Sequence, residues 1–141
     1  MNTAPTATTR KLRVVIADDS EPVRSRIALV IGKLKGVELV GAAKEARECL
    51  HVLREQSPDV TILDLNMPNG GGFAVMDGIK RLPAAPVVII LTNYSDSYIR
   101  AKCETAGAAY FFDKSNEFEE AIGTLKAIES NRDFHLVSTP A

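Results

Sequence analysis

With 141 residues and a hydrophobic fraction of 45%, the chain has room for one globular domain around one core. Lys and Arg number 17 against 18 Asp and Glu, a formal charge of -1, so no basic excess points to nucleic acid as a direct partner. No apolar run reaches membrane-spanning length, and the opening MNTAPTATTR lacks the apolar centre of a signal peptide, so a cytoplasmic protein without membrane contact is expected.

Residues 1–11 are rich in Thr, Ala and Pro and read as a loose tail; ordered structure is expected over 12–130, with a second tail at 131–141. The first strand is expected in LRVVIAD from Leu12, followed by a helix whose apolar face is Val23, Ile27, Val30, Ile31 and Leu34, entered at Pro22 and stopped by Gly36. VELVGAA (Val37 to Ala43) predicts the second strand, and Ala46, Cys49, Leu50 and Leu53 the second helix. VTILD (Val60 to Asp64) predicts the third strand, followed by a Gly-rich loop and a helix on Phe73, Met76, Ile79 and Leu82. PVVIILT (Pro86 to Thr92) predicts the fourth strand, with a helix on Ile99, Cys103 and Ala106 that ends at Gly107. AYFFD (Ala109 to Asp113) predicts the fifth strand, and Phe118, Ile122, Leu125 and Ile128 the last helix, with Ser115 as its N-cap. The continuous apolar runs of the first, third and fourth strands suit strands covered on both faces. Five strand–helix alternations therefore predict an open α/β sheet with right-handed crossovers and helices on both sides. Cys49 and Cys103 have no C-x-x-C spacing and fall on helix faces, so both are expected to be reduced core thiols.

In such a sheet the functional crevice lies beyond the carboxyl ends of the strands. Asp18 and Asp19 follow the first strand, Asp64 ends the third, Thr92 ends the fourth and Lys114 follows the fifth. Each has an ordinary role open to it, since Asp18 and Asp19 could cap a helix, Asp64 could be a turn acid and Lys114 a solvated side chain. In the strand order 2-1-3-4-5 all of them converge on one pocket, an unusual outcome for ordinary roles. Three carboxylates against one ammonium leave about two uncompensated negative charges, which calls for a cation. Oxygen-only ligands select Mg²⁺, with Mn²⁺ the second choice. A carboxylate that accepts a phosphoryl group needs its charge neutralised and its line of approach open, and the cation, Lys114 and the Thr92 hydroxyl with the Asn93 N–H could serve the equatorial oxygens. The glycines of NMPNGGG would let the main chain approach metal and phosphate.

The segments ADDSEPVR, ILDLNMPNGGGF, IILTNYS and AYFFDKS, in this order, resemble the four signatures of the response-regulator receiver domain of two-component signalling, over about Leu12 to Glu129. The resemblance implies the flavodoxin-like 2-1-3-4-5 doubly wound parallel sheet with helices on both faces. It implies Asp64 as phosphoacceptor, Asp18 and Asp19 as the acidic metal pair, the Asn66 carbonyl as a further ligand, Thr92 as switch hydroxyl and Lys114 as the phosphate-pairing lysine. Phe111 stands where the family often has a Tyr switch residue, and Asn93 where it often has a small residue. The implied partners are a sensor histidine kinase or a histidine phosphotransfer protein, and a separate downstream protein, since the sequence leaves no room for an output domain. His51 and His135 have no acidic or metal constellation beside them and read as surface residues. Such a protein is not an enzyme in the usual sense, although it catalyses its own phosphorylation and its autodephosphorylation.

Two other functions share parts of this pattern. A Mg²⁺-dependent aspartate-nucleophile phosphatase needs a second acid two residues after its nucleophile, where this chain has Asn66. A flavin-binding flavodoxin needs a phosphate cradle after its first strand, where ADDSEP would repel phosphate. A receiver used only as a phosphorylation-independent docking module would have no need of the complete pocket set.

Overall fold

Alternate residues of β1 (Leu12–Ala17) serve two different cores. Leu12, Val14 and Ile16 point to one face, where Ile27, Ile31, Phe118, Ala121 and Leu125 are buried. Val15 and Ala17 point to the other, among Ala46, Cys49, Leu53, Val75, Met76 and Ile79. This period of two requires apolar residues at successive positions when both faces are covered. A slip of one residue would exchange the two sets, so the register is strongly specified.

The computed structural model describes the backbone of residues 10–138 and side chains as far as 131. The remaining elements are α1 (Glu21–Gly32), β2 (Val37–Ala43), α2 (Ala46–Gln56), β3 (Val60–Leu63), α3 (Gly71–Ile79), β4 (Val87–Thr92), α4 (Ser97–Ala106), β5 (Tyr110–Asp113) and α5 (Phe118–Ser138). The five strands form one sheet in the order β2-β1-β3-β4-β5, and every adjacent pair is parallel. Helices α1 and α5 cover one face; α2, α3 and α4 cover the other. This is the flavodoxin-like doubly wound fold expected from the sequence. Both cysteines are free and buried, and burial pushes the Cys49 thiol up to about 12 and that of Cys103 up to about 11.

Local signals set most boundaries. The Ser20 hydroxyl accepts from the Val23 N–H at 3.3 Å, with Pro22 in the first turn of α1. The helix ends at Gly32, earlier than the sequence suggested; Gly36, at φ +80°, instead serves the turn into β2. Asp96 caps α4 by accepting from the Ile99 N–H at 2.8 Å, and Gly107 closes it in the left-handed region at φ +114°. Ser115 does not cap α5, which begins only at Phe118; the Asp113 carboxylate instead accepts from the Ser115 and Asn116 N–H groups at 2.8 and 3.0 Å. Helix α5 continues to Ser138, over most of the segment read as a tail. Residues 1–9 of the expected N-terminal tail lie outside the described residues, as does the side chain of His135.

The start of α3 departs most from the sequence reading. Gly71 and Gly72 are not loop residues but the buried first turn of the helix, which enters from Gly70 at φ +99°. A Cβ at Gly71 would lie 2.1 Å from the Leu65 carbonyl oxygen, and one at Gly72 2.8 Å from that of Asp64. These glycines let the helix press its first turn against the chain leaving β3. Gly71→Ala, which combines that collision with φ +64°, is expected to cost about 2–3 kcal/mol. Gly123→Ala in α5 meets nothing within 4 Å and is expected to add about 0.5–1 kcal/mol through helix propensity. Urea midpoints of the two variants should move in opposite directions.

Candidate functional site

Three strand ends deliver the acids and the lysine to one place. The chain leaves β1 at Asp18 and Asp19, leaves β3 at Asp64 and leaves β5 at Lys114. One carboxylate oxygen from each acid lies within 4.8 Å of those from the other two. Lys114 Nζ donates to Asp18 Oδ2 at 2.7 Å and to Asp64 Oδ2 at 3.2 Å. Asp18 and Asp64 are buried, whereas Asp19 is exposed at the rim. With Asn66, Thr92 and Lys114 they line a cavity of about 330 Å³. All five strand-end side chains singled out in the sequence therefore share one site.

The backbone fixes each member. The Asp64 N–H donates to the Ala17 carbonyl at 2.9 Å, which carries the β1–β3 pairing one step beyond the strands. The Asn66 N–H donates to Asp64 Oδ1 at 3.3 Å and the Ser20 N–H to Asp18 Oδ1 at 2.9 Å, so each buried acid also accepts from the main chain two residues on. Lys114 N–H donates to the Thr92 carbonyl at 2.8 Å, which places the ends of β4 and β5 side by side. Burial, then the Asp18 charge, raises the Asp64 carboxyl above its ordinary range, with Lys114, the Thr92 hydroxyl and the Asn66 N–H offsetting part of this. Burial pushes Lys114 down, but its bonds and charge interactions with Asp18 and Asp64 outweigh it, and the net direction is upward.

Thr92 is fully buried at the end of β4, and its hydroxyl oxygen accepts from the Tyr94 N–H at 3.4 Å. Asn93 and Tyr94 are exposed at the cavity mouth. Phe111 is 7% exposed and already packed inward with Val88, Ile90 and Cys103. The Arg100 guanidinium lies 4.5 Å from the Phe111 ring centroid and donates to the Phe111 carbonyl at 3.3 Å.

Several supporting residues were not found from the sequence, because their partners are distant in the chain or are main-chain atoms. Arg24 donates to the Asp18 carbonyl at 2.8 Å from the first turn of α1. Ser95 donates to Asp113 Oδ2 at 2.6 Å, tying the loop after β4 to the end of β5. Glu45 caps α2 and accepts from Asn69 Nδ2 at 2.9 Å, which anchors the loop after Asp64. The only available signal was an acid beside each expected element end.

The donor set fits a hard divalent cation. Three carboxylates facing one ammonium leave an excess of two negative charges, two of the acids are buried, and no Cys or His enters the cluster. The acidic triad could therefore hold a metal ion.

An open parallel sheet with an acidic cavity at the β1, β3, β4 and β5 ends defines a doubly wound α/β domain with a cation-ready site rather than a dinucleotide fold, whose first turn would be Gly-rich. Residues 14–126 match the response regulator receiver domain, and the chain belongs to that family. It is 28% identical over 123 residues, 87% of this chain and 56% of the relative, to the response regulator UvrY of Escherichia coli (strain K12). This chain thus spans little more than half the length of the curated relatives it matches. Among solved structures it is similar to a two-component response regulator of the LuxR family from Aurantimonas sp. SI85-9A1, at 28% identity and TM-score 0.79, covering 86% of each chain. It is also similar to the response regulator domain of Thermotoga maritima CheB, at 26% identity and TM-score 0.76, covering 86% of this chain and 96% of that one. Membership places the chain in two-component signalling as a receiver domain. Among the described residues no helix is long and apolar enough to cross a membrane.

Proposed function

We propose that Asp64 accepts a phosphoryl group from a phosphohistidine of a sensor kinase or phosphotransfer protein, in a Mg²⁺-dependent reaction in the cytoplasm, and that the modified protein signals to a separate partner. One observation carries this: Asp64 lies buried at the strand end with the Lys114 ammonium 3.2 Å from its Oδ2 and Asp18 and Asp19 beside it. An Asp64 carboxylate oxygen attacks phosphorus, the phosphorus–nitrogen bond breaks, and the electron pair returns to the imidazole. Lys114 then pairs with a phosphoryl oxygen, and the Thr92 hydroxyl donates to another. Asp18, Asp19, Asp64 and the Asn66 carbonyl would hold Mg²⁺, which when bound neutralises charge on the acids and on the phosphoryl group. The same set of groups supports autodephosphorylation by water.

The switch consists of Thr92 and Phe111. Phe111 is already inward, so the signal is not a large swing of the ring from solvent. Thr92 moving toward the phosphoryl group pulls the loop after β4, and Phe111, held by Arg100, transmits the change to the face formed by α4, β5 and α5. A hydrogen bond to a charged group is worth roughly 1.5–3 kcal/mol, enough to shift a two-state balance about ten- to a hundredfold. Thr92→Ala is expected to accept phosphate yet lose most of the response on that face, measured as amide shift changes upon phosphorylation. A response confined to α2 and α3, or equal in the variant, would overturn the switch.

A further inference from the structure

A second concavity, of about 450 Å³, lies on the other side of α4, between α3 and α4, and shares no residue with the acidic cavity. Tyr98, Ala101, Lys102 and Thr105 form one stripe of α4, spaced by three, one and three residues. Phe73 on α3 and Lys80 at its C-cap, two turns apart, form the facing wall. Tyr98 is 71% exposed, the most exposed large hydrophobic side chain among the described residues. The groove is lined by two lysines and no acid. The Lys102 ammonium sits 4.9 Å from the Phe73 ring centroid and 5.9 Å from that of Tyr98. Aromatic faces thus hold a cation for which no carboxylate is supplied. Asp77, between Phe73 and Lys80 on the same face of α3, is not among the groove's lining residues and is paired with Arg81 at 3.4 Å.

We propose that this groove docks an acidic amphipathic helix of a separate protein, with apolar side chains against Phe73, Tyr98 and Ala101 and carboxylates on Lys80 and Lys102. The stripe from Tyr98 to Thr105 is roughly 10 Å long at 1.5 Å per residue, which matches anchors at i, i+3 or i+4, and i+7 of a docked helix. The small side chains of Ala101 and Thr105 keep the centre low, while the exposed Tyr provides a large, rigid contact. Two cations against no acid select a negatively charged helix over a neutral or basic one. A nucleic acid would need a broader basic field than a chain of charge -1 presents here.

Helix α4 begins at Ser97, only five residues after Thr92, and its other side carries Arg100 on Phe111. A shift of the loop after β4 therefore moves one wall of the groove against α3. The dependence of docking on phosphorylation rests on the function proposed above; the groove itself does not.

The test is a display library of helical peptides with acidic, neutral or basic residues between Leu, Phe or Trp anchors. It is selected on the intact protein with and without acetyl phosphate and Mg²⁺, with phosphoryl labelling followed by intact mass in the same samples. Enriched peptides should be acidic, should shift the amides of Phe73 and of residues 98–105, and should weaken with salt. The double variant Lys80→Glu/Lys102→Glu should lose at least tenfold in affinity and regain binding to the charge-reversed peptide. Tyr98→Ala, at an exposed position, should lose acidic-peptide binding while labelling at the wild-type rate. Enrichment of neutral or basic peptides, shifts on another face, self-association through Tyr98 in place of peptide binding, or no enrichment over the Tyr98→Ala control would overturn the proposal. Peptide binding with no label formed even after acetyl phosphate and Mg²⁺ would keep the groove and overturn the phosphoacceptor assignment; label formed, with equal binding in labelled and unlabelled protein, would overturn only the coupling.

Discussion

Excess Mg²⁺ is expected to raise the melting temperature of the chelator-treated protein by about 3–6 °C and its rate of labelling by acetyl phosphate at least about tenfold. The stabilising part follows from mass action, since a ligand at ten times its dissociation constant contributes about 1.4 kcal/mol to a fold that alone offers the site. The site exists only in the folded chain, because Asp18, Asp19 and Asp64 come from the ends of two different strands. Labelling depends on the cation because an anionic donor must approach a cavity whose acids outnumber its ammonium by two. Asp19→Ala is the informative variant. Its side chain is exposed, so the fold should tolerate the loss, while both Mg²⁺ effects should fall sharply. Differential scanning calorimetry with and without chelator, beside intact-mass kinetics, would measure both. A variant that kept the full Mg²⁺ response would remove Asp19 from the ligand set.

Lys114→Ala is expected to destabilise the metal-free protein by about 2–4 kcal/mol at pH 8, far beyond the effect of an ordinary surface lysine. Its ammonium bonds to both buried carboxylates, at 2.7 Å and 3.2 Å. Removing it leaves them facing one another without a counter-charge. The loss should depend on pH in a definite direction. The folded-state Asp64 carboxyl is already raised by burial and by Asp18, with Lys114 among the groups that hold it down. Without the lysine it rises further, so between the unfolded and folded values the native state binds the extra proton and stability falls as pH rises. The deficit should therefore shrink as pH is lowered toward the ordinary carboxylate range, and Mg²⁺ at pH 8 should restore part of it. Urea midpoints at pH 5 and pH 8, with and without Mg²⁺, would check this. A pH-independent loss would mean that Lys114 acts by packing rather than by charge.

The central strands were legible because a parallel strand buried on both faces leaves a run that no exposed element would carry; Val60 to Leu63 are buried at every position. The site was legible for a related reason. Residues at strand ends are placed by the strands themselves, so Asp18, Asp64, Thr92 and Lys114 could be brought together by topology alone. Residues placed by packing were not. Gly71 and Gly72 looked like loop glycines because sequence spacing does not report how closely a helix presses on the chain beside it. Phe111 is packed inward with Val88, Ile90 and Cys103, with Arg100 of α4 4.5 Å from its ring centroid, contacts that sequence spacing does not report. The Ser95 bond to Asp113 joins residues eighteen apart, and the sequence showed only that each was polar.

The most direct measurement of the central claim is the intact mass of wild type and Asp64→Asn after incubation with acetyl phosphate and Mg²⁺, followed by peptide mapping of the labelled protein. The wild type should gain the mass of one phosphoryl group, located on the peptide containing Asp64, and lose it again when the donor is removed. Asp64→Asn, which keeps the side-chain shape but removes the nucleophile, should gain none, while its circular dichroism and its urea midpoint show it to be folded. Equal labelling of the two proteins, or a phosphoryl group mapped to a peptide without residue 64, would contradict the assignment of Asp64 as phosphoacceptor.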